Sequence, residues 1–270
     1  MKVRIVTSLV LLPALVALLF FAPLLIVAVV AGIFTAIASF EMLGGTGYVK
    51  NVRLHIYSCV MAFGISIWSY YGCHRGIGLL GLLAYFMLVF AEIMLSGMEL
   101  DFKDAFLTFL SGIVVPLMFT SLVRIVCMES GRYLVAIPFV VSFMSDTGAY
   151  FVGITFGKHK LAPLVSPKKS VEGLFGGVVT GILGMLLYGV VINVFFDANA
   201  SYWILIIYGL VGSLVSAFGD LCFSVIKRQT GIKDYGHIFP GHGGVLDRVD
   251  SVVVSAIFTE AMLLLIPMVN

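Results

Sequence analysis

Apolar residues in this chain do not alternate with polar ones; they run in long blocks. The blocks cover residues 4–21, 24–43, 54–72, 78–97, 105–123, 133–152, 173–196, 202–222 and 249–269. Each approaches the roughly 20 apolar residues that a helix needs to cross a bilayer. The pattern predicts an all-α polytopic integral membrane protein of about nine transmembrane helices. Most connections between blocks are short. Two are not: residues 153–172, GITFGKHKLAPLVSPKKSVE, and residues 223–248, FSVIKRQTGIKDYGHIFPGHGGVLDR. The chain therefore reads as N-terminal transmembrane helices, residues 1–140, followed by C-terminal helices, residues 141–270, that carry both long loops. The first block has the basic start of a secretory signal. Its apolar run is too long and lacks a clear small-residue cleavage site, so a retained first helix is expected.

Composition agrees with the blocks. Of the 270 residues 61% are hydrophobic and 11% charged, against roughly 45–50% and 25% in soluble domains. A water-soluble enzyme is excluded. The four cysteines are scattered with no Cys-x-x-Cys pair, and read as small apolar residues in or near helices.

Charge adds sidedness. With the N-terminus cytoplasmic, nine spans put 13 of the 16 Lys and Arg on that side and leave Arg75, Arg124 and Arg132 on the other. Such a bias marks the cytoplasmic face. It puts the C-terminus outside and both long loops inside. The expected location is the cell's inner (cytoplasmic) membrane, multi-pass, with the active site facing the cytoplasm.

The acids gather toward that same face. Asp146 lies near the inner end of span six, Asp220 near that of span eight, and Asp247 and Asp250 open span nine. Ionisable residues inside a bilayer are costly and point to function. Asp146 stands among small and hydroxyl residues in SDTGAYFVG. Asp220 ends a stripe of Gly209, Gly212, Ser213 and Ser216 that shares one helix face. Glu41 and Glu92, near the inner ends of spans two and four, are expected to reach interfacial water. The four-residue ladder Gly173, Gly177, Gly181 predicts a close helix contact, within the chain or in a homodimer. GIGLLG at 76–81 is expected to be transmembrane packing, because no strand–helix–strand unit surrounds it.

The stretch GHGGVLDRVDS, residues 241–251, concentrates the chemistry. Asp247 and Asp250 are three apart, so a helix turns both carboxylates the same way. Gly243 and Gly244 just before them leave backbone N–H groups bare at a helix N-terminus, which suits a phosphate. Acids beside phosphate suit Mg²⁺. The same loop adds Lys227, Arg228, Lys233, His237, His242 and Arg248, and the other loop adds Lys168, Lys169 and Ser170 next to Glu172. Together they read as a polyphosphate-plus-metal site at the inner membrane face.

Residues 224–250 closely resemble the signature of the phosphatidate cytidylyltransferases, or CDP-diacylglycerol synthases. That pattern is S-x-apolar-K-R, four residues, K-D, a small residue, P-x-H-G-G and D-R-apolar-D, and every fixed position is met over 27 residues. SDTGAYFVGITFGKH at 145–159 and LAPLVSPKKSVEG at 161–173 are similar to the family as well. The resemblance implies transfer of a cytidylyl group from CTP to phosphatidic acid, giving CDP-diacylglycerol and pyrophosphate, with Mg²⁺ required. It implies a catalytic set of Asp220, Lys227, Arg228, His242, Asp247, Arg248 and Asp250. Asp220 and Asp247 would bind Mg²⁺, with Asp250 a third candidate, while Asp146 would hold a second cation or orient the site. Lys227, Arg228 and Arg248 would neutralise phosphates, and Lys168 and Lys169 would grip CTP or the lipid phosphate. Ser166, Ser170, Glu172, Ser224, Lys233, Asp234, Gly243 and Gly244 complete the expected substrate contacts. The expected partners are CTP, phosphatidic acid and the lipid bilayer, with no nucleic acid.

Two rivals are weaker. A CDP-alcohol phosphotransferase would carry acids spaced from a D-G-x-x-A-R start, which is absent. A transporter would use Asp146 and Asp220 for coupling ions, but no internal repeat is evident.

Overall fold

The computed structural model of the protein describes residues 13–97, 99–238 and 243–268. Residues 13–21 are helical (α1). Then follow α2 (Leu24–Thr46), α3 (Val52–Tyr70), α4 (Arg75–Leu95), α5 (Phe102–Phe109), a π-helical turn (Leu110–Val114), α6 (Val115–Phe119), α7 (Ser121–Val126), α8 (Gly131–Leu134) and α9 (Ile137–Phe156). A hairpin of β1 (Lys160–Ala162) and β2 (Ser166–Ser170) precedes α10 (Val171–Phe196), α11 (Tyr202–Gln229) and α12 (Leu246–Leu265).

Among the described residues, seven helical stretches are long and apolar enough to cross a membrane: Leu24–Thr46, Val52–Tyr70, Arg75–Leu95, Phe102–Val126, Gly131–Phe156, Val171–Phe196 and Tyr202–Gln229. They coincide with the second to eighth apolar blocks to within four residues, except that the last helix runs seven residues beyond its block. The protein is thus an all-α polytopic membrane protein apart from the hairpin. Half of the first block, residues 4–12, lies outside the described residues. The ninth is α12, a full helix that also carries Asp247, Arg248, Asp250 and Glu260.

The chain forms two compact units. The first is Met1–Glu129 with Gln229–Val249; the second is Ser130–Arg228 with Asp250–Asn270. In the first unit, Leu43, Val49, Leu54, Tyr85 and Val89 form a buried core. The Tyr85 hydroxyl lies 2.8 Å from the Ser58 hydroxyl and donates to Thr108 O at 2.8 Å, which satisfies a buried polar group. The π-helical turn comes just before Pro116, which has no N–H to donate to the preceding turn. GIGLLG lies in and beside the opening turns of α4 with no strand before it, and a Cβ on Gly78 would meet the Trp68 ring at 2.8 Å. Close packing is what that glycine serves.

In the second unit, α9, α10 and α11 meet through glycine. A Cβ on Gly177 would lie 2.8 Å from Ser145 O, and one on Gly173 would lie 2.8 Å from Ala149 O. One on Gly181 would strike the Ser213 hydroxyl. The glycine ladder is thus used within the chain.

The hairpin departs from the all-α expectation. Its turn is Ala162-Pro163-Leu164-Val165, with Val165 N–H donating to Ala162 O at 3.2 Å. Proline in second place is favoured there because its fixed φ suits the turn. The strands pair antiparallel, Lys160 opposite Ser170 and Ala162 opposite Ser166, with a register irregularity between them. At the base, Val171 N–H donates to His159 O at 2.9 Å. Ser170 then caps α10 by accepting from Gly173 N–H at 3.1 Å.

Candidate active site

The second unit brings together side chains from four separate segments. Asp220, Ser224 and Lys227 recur on one face of α11. On β2, Lys169 is half-buried while its neighbour Lys168 stays exposed. Lys169 forms an ion pair with Asp220, and its ammonium also donates to Ala217 O at 3.4 Å. Asp220 Oδ1 accepts from the Ser224 hydroxyl at 3.4 Å. Lys227 Nζ lies 3.8 Å from Asp250 Oδ2. Asp146 on α9 is hydrogen-bonded by the Ser251 side chain and feels the charges of Lys169 and Asp220. Asp250 in turn feels Asp220, Lys227 and Asp146.

Three carboxyl groups thus gather with two ammonium groups. Asp146 is exposed, whereas Lys227 and Asp250 are buried. One turn before Asp220, the buried Ser216 hydroxyl has no hydrogen-bonding partner among the described residues.

The hairpin is fixed beside this cluster. Arg228 Nε donates to Val165 O at 3.1 Å, at the hairpin turn. Glu172 accepts from Lys158 N–H at 3.1 Å and from His159 N–H at 3.2 Å, and pairs with His159 Nδ1 at 2.6 Å. Arg228 and Glu172, expected at substrate, are engaged with the hairpin. Ser166 is half-buried on β2.

The first unit holds the signature loop between α11 and α12. Asp247 Oδ2 accepts from Tyr235 N–H at 2.7 Å and from Gly244 N–H at 3.1 Å. Glu41, on α2, accepts from Val245 N–H at Oε1 and from Leu246 N–H at Oε2, each at 3.0 Å. Both acids are buried, Glu41 at 5% and Asp247 at 8% exposure. Two sequence expectations change here. Glu41 does not reach interfacial water. The N–H of Gly244 is not bare for a phosphate, and the next two N–H groups are also taken by carboxylate. The physical reason is that a buried helix N-terminus must satisfy its first donors from outside the helix.

Between the end of α2 and this loop lies a cavity of about 630 Å³, bordered by Phe40, Glu41 and Gly45 and by residues 232–238, including Lys233 and Asp234. That volume falls in the ligand-pocket range of roughly 300–1,000 Å³. Lys233 and Arg248 are exposed and Asp234 half-buried. His242 lies outside the described residues.

Glu41 is the functional candidate that the sequence reading missed. The available signal was an acid at the inner end of a span, followed one turn later by Gly44-Gly45. Glu92, also buried at 7% exposure, likewise does not reach interfacial water as expected; it accepts from Asn51 Nδ2 at 3.0 Å and from the largely exposed Arg53 at 3.3 Å.

The model of a family described as the cytidylyltransferase family matches residues 2–266. The phosphatidate cytidylyltransferase of Staphylococcus epidermidis is 38% identical over 175 residues, which cover 65% of this chain and 65% of that protein. That of Mycobacterium tuberculosis is 38% identical over 165 residues, 61% of this chain and 49% of the relative. The chain thus spans just under two thirds of the first protein and about half of the second. With the Staphylococcus aureus enzyme of the same name the match is 35% identical over 263 residues, 93% of this chain and 94% of the relative.

Proposed function

Since this chain belongs to the cytidylyltransferase family, we propose that it transfers a cytidylyl group from CTP to phosphatidic acid, forming CDP-diacylglycerol and pyrophosphate. The observation that carries this reading is the convergence of Asp146, Lys169, Asp220, Lys227 and Asp250 in one cluster. These residues come from stretches that resemble the family. A triphosphate and a lipid phosphate are what such a cluster of opposed charges can hold.

In the proposed reaction a phosphate oxygen of phosphatidic acid attacks the α-phosphorus of CTP in line. The new P–O bond forms as the bond to the β-phosphate breaks, and the electron pair leaves with pyrophosphate. Transfer of this kind depends on positioning and charge neutralisation more than on covalent help. Lys169 and Lys227 supply that neutralisation. In the free protein they are paired with Asp220 and Asp250. A phosphate that takes the two ammonium groups frees both carboxylates at once.

Asp146, Asp220 and Asp250 are hard oxygen donors that outnumber the two ammonium groups, and this chemistry fits Mg²⁺. Among the described residues no three such side chains are drawn close enough to hold a metal as they stand. The ones released by phosphate are those that would hold it. When bound, Mg²⁺ would neutralise charge on the triphosphate. Asp247, whose Oδ2 is bonded by two backbone N–H groups, is assigned to the loop.

We also propose nine spans, adding the first apolar block and α12 to the seven. The N-terminus and the cluster then face the cytoplasm, as the 13 inner Lys and Arg suggest. The reading belongs to a cell's inner membrane. A reporter fused at the C-terminus tests this: periplasmic activity is expected, and cytoplasmic activity would remove one span.

The function is tested by pyrophosphate release from purified protein in detergent with Mg²⁺. Release is expected only when CTP and phosphatidic acid are both present. Release without the lipid would count against the acceptor, and solute uptake by vesicles without CTP would favour a transporter.

A further inference from the structure

We propose that Glu41 is a positioning residue for this reaction: a clamp on the signature loop, reaching it from a helix two hundred residues earlier in the chain. The proposal rests on the cytidylyltransferase reading, because the loop it holds is the one that carries the signature.

The geometry is reciprocal. Glu41 and Gly45 are four apart and share one face of α2. That face offers a carboxylate and, one turn on, bare backbone. A Cβ on Gly45 would collide with Tyr235 O. The loop answers with glycines of its own. A Cβ on Gly236 or on Gly244 would collide with the Glu41 carboxylate. Glycine on both sides lets the two backbones close on one buried side chain. Each carboxylate oxygen then takes one N–H, from Val245 and from Leu246. Asp247 ties the near end of the loop to its far end by taking Gly244 and Tyr235 together. With both acids in place, Tyr235 and residues 244–247 are held to one another and to α2, and the neighbouring Lys233, Asp234 and Arg248 start from these fixed points. Without Glu41, two donors at the start of α12 lose their acceptor in a buried place, where such loss is costly.

An ordinary interior acid would serve folding alone. A positioning acid lowers turnover in protein that is still folded, so the test reads both. Full-length protein in detergent carries Glu41→Ala, Glu41→Gln, Gly244→Ala or Glu41→Ala with Gly244→Ala. Hydrogen exchange is followed in peptides covering residues 235–248, with kcat and KM for CTP measured in parallel. In Glu41→Ala, exchange over Val245 and Leu246 is expected to speed up roughly 10- to 100-fold. The kcat is expected to fall by a similar factor while KM for CTP moves less. Glu41→Gln, which keeps one acceptor oxygen, is expected to recover part of both. Gly244→Ala should lower the thermal midpoint on its own, but not further once Glu41 is gone, because the collision is with that carboxylate. Unchanged exchange in Glu41→Ala, in a background with active wild type, overturns the clamp. So does activity lost only in proportion to folded protein. A wild type without CTP-dependent turnover overturns the functional reading, and the positioning role with it, whatever the exchange shows.

Discussion

The two units use carboxylates in opposite ways. In the second, Asp220 and Asp250 face lysine side chains, the first pair partly open and the second largely buried. In the first, Glu41 and Asp247 are buried and hold backbone N–H groups. A lysine can leave its carboxylate when a phosphate arrives, since both ends are side chains. A backbone N–H cannot leave without moving the chain. The first arrangement suits binding and exchange of charge; the second suits fixing a shape. Acids that look alike in the sequence therefore have different work, and substitution should separate them.

The largest effect is expected at Asp220. Asp220→Asn removes a charge from the cluster while keeping its shape, and turnover should fall by about 10²–10³-fold. Because the side chain is 26% exposed, the thermal midpoint should stay close to wild type. Pyrophosphate release and thermal unfolding on one preparation check this, and a parallel loss of both would move Asp220 into the shape-fixing class. Next comes Lys227→Met, for which kcat/KM for CTP should fall about 10²-fold. It also leaves Asp250 without its partner ammonium in a largely buried place, so the protein should lose stability. Adding Asp250→Asn should restore the midpoint without restoring turnover.

Packing comes third. Gly177→Ala puts a Cβ 2.8 Å from Ser145 O, and overpacking of this kind costs about 1–3 kcal/mol. Turnover measured well below the midpoint should survive. The smallest effect is expected from Arg53→Ala. Glu92 keeps Asn51 as a donor, and an exposed partner of this sort contributes under about 1 kcal/mol. Turnover should not change. A large loss there would mean that acid–cation pairs in the first unit also serve the reaction.

How legible each feature was follows from its physics. A helix such as Val171–Phe196 announces itself as a run of apolar residues, because lipid demands that run. The hairpin did not, since strands of three and five residues rich in Lys and Ser carry no alternation to read. Within the site, Asp146, Asp220 and Asp250 stood out as acids in apolar surroundings. Their pairing with Lys169 and Lys227 was not visible, because it depends on how β2 and α12 return to α11. Glu41 was seen as an acid and given to interfacial water. Its partners lie 204 and 205 residues away, and nothing local in the sequence links them. The bare N–H groups expected at Gly243-Gly244 illustrate the same limit. The motif indicates that donors are available, and only the fold shows that a carboxylate already takes the one on Gly244.

The most direct test is pyrophosphate release by the purified protein with Mg²⁺ and phosphatidic acid, comparing CTP with ATP, GTP and UTP, in wild type and in Asp220→Asn. The expected result is release with CTP alone, dependent on the lipid and lost in the variant. Release with any nucleotide, or equal release from folded Asp220→Asn, would contradict a cytidylyl transfer centred on the second unit's cluster.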